Sequence, residues 1–516
     1  MLKSVVDLSS QDFSKGLNTN QNLLAITKDQ SPNCMDVVFE FDGNVSKRLG
    51  TNTCNSVALS ATNSAGTLGV TTCGWASFDF GAGNSAPRWL VVAAGTALWA
   101  SSDLGFSFVR IASDRTSTYQ YLERSKNVLV ACSEAYDRVL FWSGSAGTFA
   151  GMLNISAPLA KYAINYQGFL ILLNTSTRKR GFFYEDENSQ LTGGFNGVLT
   201  TGGNFDMPSS ADDEVTGAWV LGRNMYVSTR YKLFQLTYVG GAPDWSYKEI
   251  KDWGFVPRTV DRLVVGEVGE ILVGESWDRR VRFFDGSEDT IASNNVESDN
   301  NMCDFATSKI SYSGSGLLTN FGKTDKSENV YKLCTVIGTS STETTHFLNL
   351  EGRTKGFYPS YNNNIKFMSM CMAESGNRQY LMAVDQSGWI HMMNSGNIDR
   401  NTYAINEVFN SSFYFDKSPS QTSKSHEMHL FLTPNSSGTL YYSDRQDFSS
   451  TFSVRRVIQI DSRSNIVQQH ETVDIPISQN IYQYQLSSSS GTNEPWRLNR
   501  TDYFSSPGGI GKEIRR

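Results

Sequence analysis

The sequence has few of the features that mark disordered, secreted or membrane-spanning chains. Its 516 residues include only 12 Pro, and charged residues make up 19% of the chain, whereas long disordered tracts are richer in both. No run of about 18 apolar residues occurs, and residues 1–18 lack the apolar core and cleavage site of a signal peptide. We therefore expect a folded protein that is made in a reducing cytoplasm and has no membrane anchor.

Cysteine usage and net charge argue against two further classes of protein. The chain has seven cysteines, an odd number, and no two of them form a CxxC pair, so neither a disulfide framework nor a zinc site is predicted. The formal net charge is -6, whereas proteins that hold nucleic acid through its phosphates usually carry a basic excess. Any contact with DNA is therefore expected to be loose or confined to a patch.

Catalytic motifs are also missing from the sequence. There is no G-x-x-x-x-G-K-[ST] for nucleotide phosphates and no G-x-S-x-G for an esterase. The nearest approach to the opening motif of a sialidase, GFVPRTVDR at 254–262, has its residues in the wrong order. His426 and His429 of HEMH lie three apart on a predicted strand and so point to opposite faces, which disfavours a joint metal site. We predict that the protein is not an enzyme and uses no cofactor.

One acidic stretch leaves an alternative open. Residues 285–301, DGSEDTIASNNVESDNN, are rich in oxygen ligands, as calcium loops are. They lack the ordered ligand spacing and the closing bidentate Glu of an EF-hand. A solvated loop is the favoured interpretation, and a loop that binds a divalent ion is the alternative.

Strand signals, in contrast, are dense along the whole chain. Short runs of β-branched and aromatic residues alternate with Gly, Asn, Ser and Asp turns. An apolar strand followed by an aromatic strand recurs seven times. The pairs are WLVVAA (89–94) with ALWAS (97–101), VLVACS (128–133) with VLFWS (139–143), FLILLN (169–174) with GFFYE (181–185), MYVSTR (225–230) with KLFQL (232–236), ILVGES (271–276) with VRFFD (281–285), YKLCTV (331–336) with HFLNL (346–350), and YLMAVD (380–385) with WIHMM (389–393).

The period of these pairs predicts the architecture. Successive pairs lie about 40 to 65 residues apart, which is the size of a four-stranded propeller blade rather than of a helical repeat. We predict an all-β protein with a roughly seven-bladed β-propeller over residues 70–403. An N-terminal segment with a β-hairpin (1–69) precedes it, and a small C-terminal β domain with a basic tail (404–516) follows. A β-sandwich or an irregular β protein is the alternative.

Two turns carry a sharper signal than the strands around them. SSDLGFSF (101–108) matches the Asp-box pattern S-x-D-x-G-x-T-W, in which the carboxylate of Asp103 binds backbone amides and Gly105 takes a torsion that other residues avoid. In DVVFEFDGNVSKRLGT (36–51), Asp42 and Gly43 predict a two-residue hairpin turn. Phe41 is expected to share the buried face of the first strand with Val37 and Phe39. Both turns indicate architecture and not catalysis.

Three segments near the ends of the chain resemble a known family. KGLNTNQNLLAITKDQSPNCMDVVFEFDGNVSKRLGT (15–51) resembles the opening of many phage virion proteins. LYYSDRQDFSSTFSVRRVI (440–458) resembles the degraded Asp box of the same proteins, and WRLNRTDYFSSPGGIGKEIR (496–515) resembles their closing segment. The family is the tail nozzle, or packaged-DNA stabilisation, group of short-tailed bacteriophages. Residues 445–450 lack the glycine of the family pattern, and the C-terminal arginines are spaced differently.

The resemblance implies a structural role with several partners. It implies a homo-oligomeric ring, usually a hexamer, that lies below the portal and adaptor proteins and retains packaged DNA until ejection. Non-specific double-stranded DNA would pass through the central channel, and tail fibres, spikes or a needle would be neighbours. The implied location is the virion tail, after synthesis in the host cytoplasm.

Basic residues near both ends are the candidates for contacts with those partners. Lys47 and Arg48 lie in the return strand of the hairpin, and Arg497, Arg500 and Arg515 lie in the last 21 residues. Arginine forms two-point bonds with carboxylates, so these residues are predicted to face a neighbouring subunit or the adaptor. The alternatives are a hairpin that closes the first blade or a platform, and a tail that is a solvated end. Deleting residues 496–516 is predicted to leave a folded, soluble protein that cannot complete particles.

Two other functions stay open at the level of sequence. The Asp box and the 12% aromatic content also suit a propeller glycan-binding protein or a sialidase-like glycosidase. An adhesin or tail-fibre module is the third possibility.

Overall fold

A computed structural model describes most of the chain. The described residues are 6–10, 12–19, 22–59, 73–77, 88–112, 115–116, 120–125, 128–142, 144, 159–176, 180–184, 202–208, 210, 212–240, 245–297, 305–310, 320–337, 346–361, 365–400, 402–414, 423–434, 437–447, 449–460, 468–475, 478–479, 481–488 and 496–507. Within them the protein is all-β, as predicted. Three single 3-10 turns are the exceptions: Leu23–Ala25, Ala292–Val296 and Thr307–Lys309.

The strands fall into three groups along the chain. The first group is short and N-terminal: β1 (Val6–Ser10), β2 (Cys34–Met35), β3 (Val37–Phe39), β4 (Val45–Lys47) and β5 (Asn52–Thr53). The second group begins with β6 (Cys73–Ser77), β7 (Arg88–Ala94), β8 (Ala97–Ser101), β9 (Val109–Ala112), β10 (Gln120–Ser125), β11 (Val128–Ser133), β12 (Leu140–Trp142), β13 (Ala160–Tyr166), β14 (Phe169–Thr175), β15 (Arg180–Tyr184) and β16 (Gly202–Asp206).

The second group continues through the middle of the chain with β17 (Val215–Leu221), β18 (Asn224–Thr229), β19 (Leu233–Tyr238), β20 (Trp245–Lys251), β21 (Asp261–Val265), β22 (Gly269–Glu275), β23 (Val281–Phe284), β24 (Asp289–Ile291), β25 (Phe321–Asp325), β26 (Val330–Thr335), β27 (His346–Glu351), β28 (Phe357–Tyr361), β29 (Phe367–Ser375), β30 (Arg378–Asp385) and β31 (Ile390–Met392). The third group is β32 (Val408–Asn410), β33 (Ser423–Pro434), β34 (Gly438–Gln446), β35 (Ser453–Ile460), β36 (Gln469–Asp474), β37 (Ser478–Gln479), β38 (Tyr482–Ser488) and β39 (Trp496–Pro507).

The second group forms seven small antiparallel sheets. Six consist of strands that are consecutive in the chain, and the seventh also includes β5 of the first group. Their strand orders are β6–β9, β10–β12, β13–β16, β17–β20, β21–β24, β25–β28, and β29–β31 with β5 at the far edge. Each of the seven predicted strand pairs is confirmed as an antiparallel neighbour pair within one of these sheets. These local hairpins form because a short, nearly continuous apolar run, buried along its whole length in β11 and β14, is followed closely in the chain by a second strand.

Contacts link each small sheet to the next and link the seventh to the first. The strand β10 contacts β6 and β13, and β17 contacts β13 and β22. The strand β25 contacts β21 and β29, and β29 in turn contacts β6. Apolar clusters fill the spaces between neighbouring sheets, and all members of one such cluster come from the second and third sheets: Val128, Val130, Cys132, Val139, Phe141, Ala160, Leu170 and Leu172.

The two ends of the chain build the remaining two sheets together, and we call these sheets the terminal unit. One has the order β3-β4-β39-β33-β36, with β1 beside β39 and β37 beside β33, and the other has the order β2-β32-β38-β34-β35. In the sheet of the terminal unit that contains β39, Val45 pairs with Leu498, so residues from opposite ends of the sequence are direct neighbours. The described strands of the predicted N-terminal segment are therefore shared between the terminal unit and, through β5, the seventh small sheet.

This topology corrects one prediction about the C-terminal segment. The strand β39 pairs with β1, β4 and β33, so it lies inside a sheet and not on a free end. Trp496, Leu498 and Tyr503 of β39 are at most 1% exposed and belong to a core cluster that also includes residues of the fifth and sixth small sheets. Deleting residues 496–516 would remove a central strand, so the structure argues against the expectation that the remaining protein folds normally.

Candidate functional site

The N-terminal hairpin has a longer turn than the sequence predicted. Phe39 pairs with Val45, and the amide of Gly43 donates to the carbonyl of Glu40 at 3.0 Å, so three residues rather than two form the turn. Gly43 has φ 88, a conformation that glycine adopts without steric cost. Phe41 lies in this turn and is 59% exposed, so its predicted place on the buried face is wrong.

Lys47 forms a buried ion pair with the C-terminal part of the chain. Its Nζ lies 3.2 Å from Oε2 of Glu407, and the two side chains are 1% and 0% exposed. Glu407 also accepts hydrogen bonds from Nε1 of Trp496 and Oγ of Ser488, both at 2.7 Å. The carboxylate is thus bonded on both oxygens, which offsets the cost of burying the two charges.

Arg48 forms a second buried network. Its Nε donates to Asp36 at 2.6 Å, while Nη1 and Nη2 donate to the two carboxylate oxygens of Asp399 at 2.8 and 2.6 Å. Burial raises the pKa of Asp36 to about 6, and Arg48 opposes that shift. Since Lys47 and Arg48 are both buried against their own chain, their predicted contact with a neighbouring subunit or adaptor is wrong. They connect the hairpin to Glu407, next to β32, and to Asp399 in the segment after β31.

The C-terminal arginines have intramolecular partners as well. Arg497 forms ion pairs with Asp42 and, at 2.6 Å, with Glu40, so it closes the hairpin turn from the side of β39. Arg500 lies 2.6 Å from Asp502 and over the ring of Phe431, with 39% of its side chain exposed. Arg515 lies outside the described residues. The structure brings Arg497 to the hairpin of Lys47 and Arg48, a proximity that the sequence did not indicate.

The Asp box forms the turn that the sequence predicted. The Asp103 carboxylate accepts the amide of Ser107 at 2.9 Å, and Oγ of Ser101 accepts the amide of Gly105 at 2.8 Å. Gly105 has φ 91, and a Cβ there would lie 3.0 Å from the side chain of Ile390. The turn connects β8 and β9, so its role is to fix the hairpin against the seventh sheet.

The other polar candidates do not form a metal centre among the described residues. No group of three His, Cys, Asp or Glu side chains with metal-binding geometry occurs there. In the described part of the acidic stretch, Asp289 pairs with Lys251 and Arg282 at 2.8 Å, and Asp285 binds two backbone amides. His429 lies in β33, 3.0 Å from His470 of β36, whereas the side chain of His426 is outside the described set. No described helix is long and apolar enough to cross a membrane.

The larger of two notable cavities separates the hairpin from the sixth small sheet. It has a volume of about 490 Å³. Its wall includes Phe39 and Lys47 from the hairpin, Trp496 from β39, and Lys332 and Asn349 from the sixth sheet. Lys332 is 7% exposed, and its Nζ lies 3.5 Å from Oδ1 of Asn349. This cavity follows from the way the terminal unit rests on the small sheets.

The second cavity lies where the first strands of the small sheets meet, and we call it the axial cavity. It has a volume of about 290 Å³ and is lined from β10, β13, β17, β21, β25 and β29 and the residues next to them. Its polar side chains include Glu123, Arg258, Asp261 and Lys323, and its aromatic side chains are Tyr121, Tyr162, Trp219 and Phe321. Six of the seven small sheets therefore contribute to one cavity.

The charged side chains of the axial cavity are two carboxyls and two cations. Lys323 lies 3.1 Å from Asp261, which also accepts the amide of Thr324 at 2.8 Å. Glu123 accepts the amide of Asn165 at 3.2 Å, and burial raises the pKa of its carboxyl to about 7. Nη2 of Arg258 donates to the carbonyl of Met368 at 2.6 Å, and Arg258 has φ 66, which is uncommon for a residue other than glycine.

These cavity residues were missed at the sequence level. The seven repeated pairs cover the second and third strands of the small sheets and leave out the first. A signal was present in the first strands, where Glu123 of YLERS, Asp261 of DRLVV and Lys323 of FGKTD place charged side chains within otherwise strand-like runs. A charged residue in a strand that is surrounded by other sheets requires a polar space beside it.

Comparisons with known proteins give no family for the chain. No family model and no curated protein matches it. The solved structures that match include two of the extracellular domain of BT4673 from B. thetaiotaomicron, described once as a hybrid two-component system and once as a one-component system. The first is 10% identical with a TM-score of 0.40, over 79% of this chain and 44% of that chain. The second is 10% identical with a TM-score of 0.39, over 83% and 48%. The chain spans less than half the length of either structure, and at this similarity they identify neither its family nor its function.

Proposed function

We propose that the protein is a non-enzymatic structural component of a phage tail, a nozzle subunit that assembles into a ring and retains packaged DNA. The observation that carries the proposal is the convergence of the three segments that resemble tail nozzle proteins. Residues 15–51 supply β2 to β4, residues 440–458 cover most of β34 and β35, and residues 496–515 supply β39. Segments from opposite ends of the chain form one unit, as expected if they serve one assembly function.

We further propose that the seven small sheets are the blades of a β-propeller. The chain of contacts from the first sheet to the seventh and back to the first supports this arrangement. The pairing of the N-terminal strand β5 with β31 supports it too, because a strand from outside the repeat then completes the last blade. In the ring, the terminal unit would face the adaptor and portal, and tail fibres, spikes or a needle would bind elsewhere.

The charge of the chain suits a channel protein. Its net charge of -6 gives weak attraction for phosphates, so double-stranded DNA would slide rather than bind tightly. The protein would then act in the virion tail after synthesis in the host cytoplasm.

Two measurements test the tail role. Native mass spectrometry and electron microscopy of the purified protein should give closed rings with a central channel, and a six-fold mass is expected. Peptides of the chain should also be found in purified virions. A stable monomer that is absent from particles would contradict the proposal.

A further inference from the structure

The axial cavity has the composition of a binding site for a small uncharged polar ligand. Above about pH 7, where Glu123 is ionised, the charged side chains of the cavity are two carboxylates and two cations, so neither an anion nor a cation is favoured by net charge. The side chains of Asp261 and Lys323 keep 15% and 31% of their surface exposed, so the ion pair stays accessible from the cavity. Hydrogen-bond donors and acceptors therefore face the same space.

Glu123 is the group in the cavity that would gain most from a ligand. Its one hydrogen bond among the described contacts comes from the amide of Asn165, while Arg262 and Lys323 act on it only through charge. A partly dehydrated carboxyl with spare acceptor capacity is stabilised by a ligand that donates hydrogen bonds to it.

The aromatic side chains that line the cavity further restrict the class of ligand that it could bind. The rings of Tyr121 and Tyr162 pack against each other with their centroids 4.4 Å apart. Tyr162 and Phe321 are buried, whereas Tyr121 and Trp219 are only partly buried where they line the cavity. Aromatic faces beside a few polar groups suit a ligand that has both a C–H surface and hydroxyl groups. The volume of about 290 Å³ is just below the usual range for ligand pockets, which run from about 300 to 1,000 Å³. A ligand with one ring therefore fits this cavity better than a ligand with several linked rings.

We propose that the axial cavity binds a single neutral sugar unit. The sugar hydroxyls donate to the carboxyl groups of Glu123 and Asp261, and the C–H face of the ring packs on the aromatic walls. Lys323 donates to a ring or hydroxyl oxygen while it keeps its pair with Asp261. The proposal does not depend on the tail role, because the cavity is built within one chain.

Saturation-transfer NMR on the purified full chain tests the proposal with a panel of neutral hexoses and N-acetylhexosamines, plus a uronic acid and an amino sugar. At least one neutral sugar should bind with a dissociation constant below about 10 mM, and the charged sugars should bind more weakly. Failure of every neutral sugar to bind, or preferential binding of a charged one, would overturn the proposal.

Substitutions in each of the two cavities test whether the sugar binds in the axial cavity. Glu123→Leu should weaken sugar binding at least tenfold, and because it replaces a dehydrated carboxyl, the variant is expected to fold. Glu123→Gln keeps the size of the side chain and serves as the second variant, with binding weakened at pH 8. Lys332→Met alters the larger cavity and should leave sugar binding unchanged. Equal loss in the Glu123 and Lys332 variants, or none in either Glu123 variant, would refute the assignment.

Discussion

Lys47 and Glu407 are a pair of charges that the fold has removed from water, and their energetics differ from those of a surface pair. Removal of one partner leaves the other buried and uncompensated, which typically costs about 3–5 kcal/mol. Lys47→Met should therefore lower the free energy of unfolding by about that amount. Urea unfolding at pH 7 measures it.

Two controls test whether the expected loss of stability arises from the burial of the Lys47–Glu407 pair. The double variant Lys47→Met with Glu407→Gln removes both charges and should recover most of the loss. Lys232 pairs with Glu249 on the surface, with 43% and 47% of the side chains exposed, so Lys232→Met should change stability little. A similar loss in both lysine variants would show that the Lys47 pair is not different from a surface pair.

The raised pKa of Glu123 leads us to expect that the stability of the protein depends on pH. Burial raises its pKa from the usual 4.5 to about 7, whereas the charges of Arg262 and Lys323 lower it. The folded state therefore holds this proton at pH values where the unfolded state has lost it. The contribution of Glu123 to the free energy of unfolding is therefore fully present below about pH 4.5 and is lost as the pH rises through about 7.

Comparison of the wild type with Glu123→Gln tests this sign. Gln carries no charge, so the variant should match the wild type at pH 4 and exceed it at pH 8 by about 1–3 kcal/mol. The measurement is the free energy of unfolding at both pH values. A stability difference that does not change with pH would show that Glu123 titrates normally.

At the scale of single elements, the short segment around β5 joins the terminal unit to the seventh sheet. The amide of Gly50 donates to the carbonyl of Gly396 at 2.9 Å, and the amide of Thr51 donates to that of Ile398 at 3.1 Å. A Cβ at Gly50 would lie 2.0 Å from the carbonyl oxygen of Ile398. Gly50→Ala must therefore move backbone, and we expect a loss of about 3 kcal/mol or more in the free energy of unfolding.

Gly222 provides the matched control for that substitution. It has φ 61, and a Cβ there would meet no atom within 4 Å. Gly222→Ala should cost only about 1–2 kcal/mol, from the backbone conformation alone. Hydrogen exchange should show loss of protection in β31 for the Gly50 variant and not for the Gly222 variant. Equal stability losses would mean that the close approach at Gly50 is relieved without cost.

Elements also show where sequence analysis succeeds and where it fails. The seven strand pairs were predictable because each is local in the chain, a short apolar run followed closely by an aromatic strand. The turn at Gly43 was predicted one residue too short, because Asp-Gly suits two-residue and three-residue turns alike. The contact of Arg497 with the hairpin was not predictable, since no local pattern connects residues at opposite ends of a chain. The charged residues of the axial cavity are visible within strand-like runs of the sequence, but their meeting in one cavity was not predictable, because that cavity exists only once six sheets have met.

On the scale of the whole molecule, the position of β39 means that a deletion that includes it affects folding, whereas a deletion beyond it tests assembly alone. Residues 496–507 form the strand that joins β1, β4 and β33, so deletion of 496–516 exposes the apolar residues that pack on Leu498 and Tyr503. We expect this truncated chain to be largely insoluble or to lose its near-ultraviolet circular dichroism. Cooperative unfolding like that of the full chain would contradict the central role of β39.

Deletion of residues 508–516 alone tests whether the basic end of the chain binds a partner. This deletion removes Lys512, Arg515 and Arg516 and leaves β39 intact, so its unfolding curve should match that of the full chain. If these cations dock on an acidic surface of the adaptor or of the next subunit, the truncated protein should fold but assemble poorly into particles. Binding of the full-length protein to that partner should weaken as salt is raised, because the exposed charges are then screened. A truncated protein that assembles normally would show instead that the last nine residues are a solvated end and are not needed for ring contacts.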